Sequence, residues 1–352
     1  MEKYLDIISD DELVSSIKTL ISTPSPTGYT KEAEAFLLEY AKKYSIDARK
    51  TEKGAVIYNF GSDNAKKGSC FAAHIDTLGL MVRSVNGNSV KFVPINGIPP
   101  IYAVGDYCTI MAYDGNRYRG TILPDNPSVH VNKDIRDVPL KYDKFHIRVD
   151  YRFSEDEPAK KKIFPGDFIF LDPKFDFIEG FVKTRFLDDK ASAGLFLVIA
   201  KKLKEAEKKG QLKLKKNIYF YFNITEETGQ GISSLPDVDN LYIVDMGVVG
   251  DEINGDEFSV SLCPMDSSGP YNYDLTRELE TLCIENKLDY KKDIFPYYGS
   301  DGSAVLRACK DIKVALFGVG VNASHGYERA HIDGLKNTYN LLKSVILKEC
   351  IE

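Results

Sequence analysis

No tryptophan occurs among the 352 residues of this chain, so the commonest platform for stacking a sugar ring is missing. No apolar run approaches the ~18 residues that a membrane-spanning helix requires. The six cysteines, at positions 70, 108, 263, 283, 309 and 350, form no Cys-x-x-Cys pair and show no regular spacing. That scatter fits reduced, mostly buried thiols better than a disulfide framework. Cations are in the minority. With 46 Lys and Arg against 52 Asp and Glu, the formal net charge is -6, which gives no electrostatic reason to expect nucleic acid or an anionic membrane as partner. The first residues, MEKYLDIISDDELV, are acidic and lack the basic-then-apolar profile of a secretion signal. A soluble cytoplasmic protein is expected.

What is present describes an ordinary globular chain: 43% hydrophobic, 28% charged and 11% aromatic residues. A chain of this length can bury a large core unaided. Any metal it holds is therefore expected to serve chemistry, not to staple the fold. The Lys-rich stretches from Lys201 to Lys216 and from Lys160 to Lys162 are mixed with Glu or lie beside turn residues, and read as solvated helix ends and loops.

Hydrophobic periodicity divides the chain into two textures. Residues 11–21 and the stretch after Thr30, with Ala33, Phe36, Leu37 and Tyr40 on one face, predict helices, and Thr30 is placed to cap the second. Strand patterns follow at 55–60 and at 69–73, the latter ending on His74-Ile75-Asp76. Residues 81–175 contain only short alternating segments separated by Gly, Pro, Asn and Asp, which predicts a small all-β unit, a barrel or sandwich. After Asp188 helices and strands alternate again: helices over 190–208, 273–288, 303–309 and 334–350, strands over 217–224, 241–244 and 313–317. This rhythm predicts an α/β fold with a mainly parallel sheet covered by helices on both faces. The expected organisation is a catalytic domain of residues 1–80 and 176–352, interrupted by an inserted β domain of residues 81–175.

Five segments place metal-capable side chains at or near strand ends, where open α/β sheets build their sites. They are His74-Ile75-Asp76, Asp188-Asp189, Glu226-Glu227, Asp245 and His325. Singly, each has an ordinary explanation. Acidic residues favour the start of a helix, polar turns are common, and a lone His is usually a satisfied surface or core residue. Together they are harder to dismiss, because carboxylates converging on one sheet edge repel one another unless cations neutralise them. A mixed carboxylate and imidazole set suits zinc, cobalt or manganese better than calcium. Two such ions ~3.5–4 Å apart can share a carboxylate and activate water. One carboxylate of the Glu226-Glu227 pair is then free to act as general base, and Asp76 is placed to orient His74.

In the order His-Ile-Asp, Asp-Asp at a helix start, Glu-Glu-x-Gly, strand-end Asp and late His, the chain resembles the di-metal glutamyl/leucyl aminopeptidases of the tetrahedral (TET) type. The resemblance implies two divalent metal ions, zinc or cobalt, with His74 and Asp245 at one, Glu227 and His325 at the other, and Asp188 shared. It also implies Glu226 as general base, Asp76 as the partner of His74, and short peptides as substrates. It further implies that the β insertion mediates dimerisation and that the chain forms a homo-oligomer, from a dimer up to a dodecamer. Thr77, Lys190 and the stretch from Asn322 to Glu328 depart from the family pattern without replacing a proposed ligand.

His130 in the β insertion is a candidate for reaching an active site, or else a surface residue. Asp301 is a candidate for the pocket wall or for a helix N-cap, and His331 reads as a spectator beside Glu328 and Asp333. Two alternatives stand beside the aminopeptidase. A deacylase or dipeptidase of the same clan would need a cation for the substrate carboxylate, and Arg185 and Arg329 are near the motifs. A glycoside hydrolase is disfavoured by the missing tryptophan and has no need of histidines.

Overall fold

A computed structural model describes residues 5–6, 8–61, 67–308 and 310–352; Cys309, expected to end a helix, lies outside them, as do Met1–Tyr4 and Ile7 of the N-terminal stretch. The first two helices, α1 (Asp10–Ser22) and α2 (Lys31–Tyr44), lead into β1 (Asp47–Lys50), β2 (Val56–Phe60) and β3 (Gly68–His74). Ser9 caps α1 through the Glu12 amide at 3.1 Å. Thr30 occupies the N-cap of α2 without capping it, because its hydroxyl donates instead to the Glu34 carboxylate at 2.6 Å.

Six strands then close an antiparallel barrel: β4 (Gly79–Asn86), β5 (Ser89–Ile95), β6 (Tyr107–Met111), β7 (Arg117–Pro124), β8 (Phe145–Val149) and β9 (Phe168–Leu171). Leu80, Ile110, Ile122, Ile147 and Leu171 are fully buried in its own core. Closure leaves the barrel without an open sheet edge.

Two short strands, β10 (Asp176–Ile178) and β11 (Phe181–Thr184), return the chain to the main sheet, and α3 (Leu187–Lys208) follows. The remaining strands are β12 (Ile218–Asn223), β13 (Val238–Val244), β14 (Gly247–Val249), β15 (Val260–Asp266), β16 (Gly269–Pro270), β17 (Tyr290–Phe295), β18 (Lys313–Asn322) and β19 (Glu328–His331). Among them run α4 (Tyr273–Glu285) and α5 (Asp301–Arg307), and α6 (Ile332–Cys350) ends the fold.

At the centre of the sheet β12, β3, β13 and β18 run parallel, and antiparallel strands extend both sides. Every residue of β3 is buried, so helices and loops must cover both of its faces. The order of these four strands matters for function, because they end on one edge. Among the described residues no helix is long and apolar enough to cross a membrane.

Candidate active site

The parallel strands deliver their ends to a common point. His74 is the last residue of β3, Glu226 and Glu227 follow β12, Asp245 follows β13, and His325 lies in the loop after β18. The fifth contributor arrives from the side. Asp188 sits at the start of α3, where it and Asp189 keep non-helical backbone, and its amide donates to Glu328 Oε2 at 3.1 Å. The other oxygen of Glu328 accepts the His325 amide at 3.0 Å. One buried carboxylate thus ties together two segments that belong to the site.

Asp188 divides its carboxylate between the two imidazoles. Its Oδ1 lies 2.9 Å from His74 Nε2, and its Oδ2 lies 3.6 Å from His325 Nε2. Glu227 stands 3.6 Å from the same His325 nitrogen. Two donor groups result, His74 with Asp188 and Asp245, and Asp188 with Glu227 and His325, the atoms of each lying within 4.8 Å of one another. Either group could hold a cation, and Asp188 belongs to both. Glu226 belongs to neither, although its Oε2 is 3.8 Å from His74 Nε2.

Asp76 organises the array from beneath. Its carboxylate accepts the amides of Glu226 at 3.2 Å and Glu227 at 3.3 Å, and the Thr27 hydroxyl at 2.7 Å. His74 Nδ1 lies 3.0 Å from the Asp76 carbonyl and 3.5 Å from its carboxylate, which leaves Nε2 facing the centre of the site. His325 is fixed in the same way, with Nδ1 3.3 Å from the Gly97 carbonyl of the barrel domain. Its backbone adopts a left-handed φ of 63°, as does Phe186 just before the Asp-Asp pair at 71°. Such conformations persist in non-glycine residues only where the surroundings enforce them.

The electrostatics show what the array calls for. Burial pushes the carboxyls of Glu226 and Glu227 well above their ordinary range, and neighbouring carboxylates push further. Burial, reinforced by Asp188, lifts Asp245 to about 7. Asp188 goes the other way: against its burial, His325 and His74 hold it below the usual carboxylate range. Burial opposes the His74 imidazolium, yet Asp188 and Asp76 raise its pKa well above the ordinary value. So many buried acids with only two imidazoles between them need cations to be ionised together. The donor set, carboxylate oxygens with neutral imidazole nitrogens, fits borderline divalent metals.

The array opens on a cavity of about 990 Å³. Asn96, Gly97 and Pro99 of the barrel domain form one wall, and Met246, Val248, Ile253 and Ile294 supply apolar surface.

Comparison with known proteins agrees with this geometry. The model of the M42 glutamyl aminopeptidase family matches residues 54–341. The chain belongs to this family. It is 36% identical over 331 residues to the Bacillus subtilis (strain 168) protein named "Putative aminopeptidase YhfE", a match spanning 93% of this chain and 94% of the relative. The TET aminopeptidase from a marine-sediment thaumarchaeon superposes with a TM-score of 0.83 at 18% identity, covering 96% of this chain and 97% of that one. The Pyrococcus horikoshii TET1 peptidase superposes with a TM-score of 0.79 at 19% identity, over 95% and 98% of the two chains. At such identities these two establish the fold alone. Family membership makes the chain an aminopeptidase-type, metal-dependent peptide-bond hydrolase.

The M42 fold brings all seven candidates together: His74, Asp76, Asp188, Glu226, Glu227, Asp245 and His325. It does not bring in His130, which is exposed on a barrel-domain loop. Asp301 is neither cap nor cavity wall. Ser300 caps α5, and buried Asp301 accepts the Asn223 amide at 2.6 Å. His331 caps α6, accepting the Asp333 amide at 3.1 Å and packing on Phe181. Its neighbour Glu328, read as a local partner, turns into the site instead.

Lys190 is buried and donates to the Leu20 and Thr23 carbonyls at 2.9 and 2.7 Å. Thr77 is buried and donates to the Leu78 carbonyl at 3.0 Å. Neither lines the cavity. Arg185, offered as a carboxylate receptor, is 2% exposed and already paired with Asp106. Arg329 is exposed and lies over the Phe181 ring, outside the cavity wall. Sequence reasoning missed Glu328 and Thr27. A carboxylate three residues after His325 was the available signal for the first; the second gave none.

Proposed function

We propose that this M42 enzyme hydrolyses the N-terminal peptide bond of short peptides at a two-metal centre, with Glu226 as general base. The observation that carries the reading is the divided carboxylate of Asp188, facing one histidine with each oxygen while Glu226 stands beside both donor groups and belongs to neither. His74 and Asp245 would hold one divalent ion and Glu227 and His325 the other, with Asp188 shared and zinc or cobalt as the ions the donors suit. When bound, such ions polarise a substrate carbonyl and make water acidic enough to attack it.

The protein's own part is placement and proton handling. Glu226 takes the proton of the attacking water on a carboxylate oxygen and delivers it to the leaving amine. Its backbone is held by Asp76, so its side chain approaches from a fixed direction. A free α-amine is a cation, and it suits a cavity wall that carries Asp251 and Glu252 besides the acids of the centre. The deacylase and dipeptidase reading loses its two proposed receptors, since Arg185 is buried in an ion pair and Arg329 faces away. Of the cavity residues only Arg307 could replace them.

We also propose that the segment 81–175 is the assembly element of a homo-oligomer. The P. horikoshii TET1 peptidase can assemble into a tetrahedron or a large octahedral shell, and an M42 chain with the same fold supports an oligomer here. Solution mass by light scattering, compared with a monomer of 39.5 kDa, tests this.

The deciding experiment is hydrolysis of a panel of aminoacyl-p-nitroanilides and N-acetyl amino acids by enzyme stripped of metal and reloaded with zinc or cobalt. Metal-dependent cleavage of the free-amine substrates alone is expected. Cleavage of the N-acetyl compounds instead would move the assignment to a deacylase.

A further inference from the structure

We propose that Tyr142, in the barrel domain, is a positioning residue for the metal centre: its hydroxyl holds the loop whose Gly97 carbonyl orients His325. The inference rests on the two-metal reading above, in which His325 is a ligand.

The direction in which a metal-binding histidine points is set by the partner of its other ring nitrogen. For His325 that partner lies in the other domain. Its Nδ1 is 3.3 Å from the Gly97 carbonyl, in the loop that leaves β5 of the barrel. Asp188 and Glu227 both face Nε2. With 34% of the side chain exposed, packing alone does not fix the ring. The Gly97 carbonyl meets it from behind and decides where Nε2 aims.

That carbonyl sits on a short irregular stretch. Asn96 adopts a left-handed φ of 60°, and the Ile98 amide turns back to the Asn96 carbonyl at 3.1 Å. Pro99 and Pro100 follow, and neither has an amide hydrogen to offer a neighbouring strand. What ties the stretch to the barrel is Ile98. Its side chain is buried in the barrel core, and its carbonyl accepts the Tyr142 hydroxyl. Of two consecutive carbonyls, one is therefore held by Tyr142 and the next one back faces His325.

Tyr142 itself is placed without help from its hydroxyl. Its ring packs edge-on against Phe92, with 5.8 Å between the centroids. Lys91, beside Phe92 on β5, donates to the carbonyls of Asp143 and Phe145 at 3.2 and 3.0 Å. Burial pushes the phenol up to about 12, so it remains a donor near neutral pH. A fixed donor on the barrel thus sets a loop carbonyl, and that carbonyl sets a ligand that belongs to the α/β domain. The barrel completes the metal centre as well as covering it.

The test is zinc titration of the metal-stripped protein by calorimetry, on wild type and on Tyr142→Phe. The variant keeps the ring and its packing, and so the fold. It is expected to bind one of the two ions about 10-fold more weakly, while the other keeps its wild-type affinity. A merely structural role would not respect that division. The stricter readout comes from repeating the substitution in a His325→Ala background. There Tyr142→Phe should weaken zinc binding no further, because the residue it acts through is gone.

Unchanged affinity for both ions would overturn the proposal. So would equal weakening of both, or a loss that persists undiminished in the His325→Ala protein. Failure of the two-metal reading looks different, because His325→Ala alone would then bind zinc as wild type does.

Discussion

The carboxylate of Asp76 accepts the backbone amides of both Glu226 and Glu227, at 3.2 and 3.3 Å. The proposed base and a proposed ligand are adjacent in sequence, and a single buried acid from the next strand fixes the turn that separates their roles. Asp76→Asn would keep the size but replace one acceptor oxygen with an NH₂ facing an amide. Loss of such a supporting partner typically lowers metal affinity or activity by about 10–100-fold. We expect both to fall in that range, read by metal titration and by kcat with a p-nitroanilide substrate. An Asp76→Asn protein that binds metal and turns over normally would show that the turn is held by other contacts.

Arg185 makes the second prediction. Its guanidinium is 2% exposed and Asp106 is 1% exposed, and their ion pair joins the α/β domain to the start of β6 in the barrel. Tyr327, two residues after His325, stacks on Arg185 with 4.3 Å from guanidinium to ring centroid and donates to Asp106. Asp106→Ala would leave a buried cation unpaired, which costs about 3–5 kcal/mol. Denaturant unfolding should show that loss. It should also reveal weaker binding of the ion assigned to Glu227 and His325, because the His325 loop loses its anchor. A stability change below about 1 kcal/mol would mean that Arg185 finds water or another acceptor.

The proposed ligands His74, Glu227 and Asp245 were legible in the sequence because each follows a short apolar run, and the parallel centre of the sheet turns those run ends into neighbours. Tyr219 to Ile224 and Leu241 to Val244 announce strands by composition alone. The strands β15 and β17 were not legible. The first carries Pro264 inside it, and the second, Tyr290–Phe295, carries two lysines and exposes Ile294. The first is specified by pairing with β17 and β18 and the second by pairing with β15, which no local pattern records. The supporting residues were hidden for a similar reason. Arg185 reads as a free cation until the barrel brings Asp106 to it from 79 positions away. Thr27 reads as part of a turn until Asp76 arrives.

Gly318 gives a third prediction, on the strand that neighbours Asp245. A Cβ built at this position would overlap the carbonyl oxygen and carbon of Asp245, both of them backbone. Neither β13 nor β18 can yield cheaply, because Asp245 donates its amide to the Phe317 carbonyl at 3.1 Å. Gly318→Ala should therefore push Asp245 away from His74, with an overpacking cost of about 1–3 kcal/mol. Metal titration should show the His74–Asp245 ion weakened more than the other. Equal weakening of both ions, or of neither, would count against separate donor groups.

Removing the metal should destabilise the protein, and more so at pH 8 than at pH 5. In the metal-free chain burial, followed by Asp188, lifts Asp245 to about 7 and Glu328 to about 8. Unfolded, such carboxyls titrate near ~4. A group whose folded pKa lies above its unfolded value stabilises the fold fully below the unfolded value and loses that contribution as pH rises through the folded one. For these two acids the loss runs from about pH 4 to about pH 8. His74, also raised, acts in the same direction at the upper end. Asp188, held low by the histidines against its burial, acts oppositely but only in the acid range below that window. Divalent ions bind the ionised acids, so they suppress the loss and add stability of their own, about 2.7 kcal/mol at a hundredfold excess over Kd. Thermal melts with and without chelator at the two pH values decide the matter. A gap in Tm that is no wider at pH 8 than at pH 5 would mean that the buried acids are neutralised by something other than the metals.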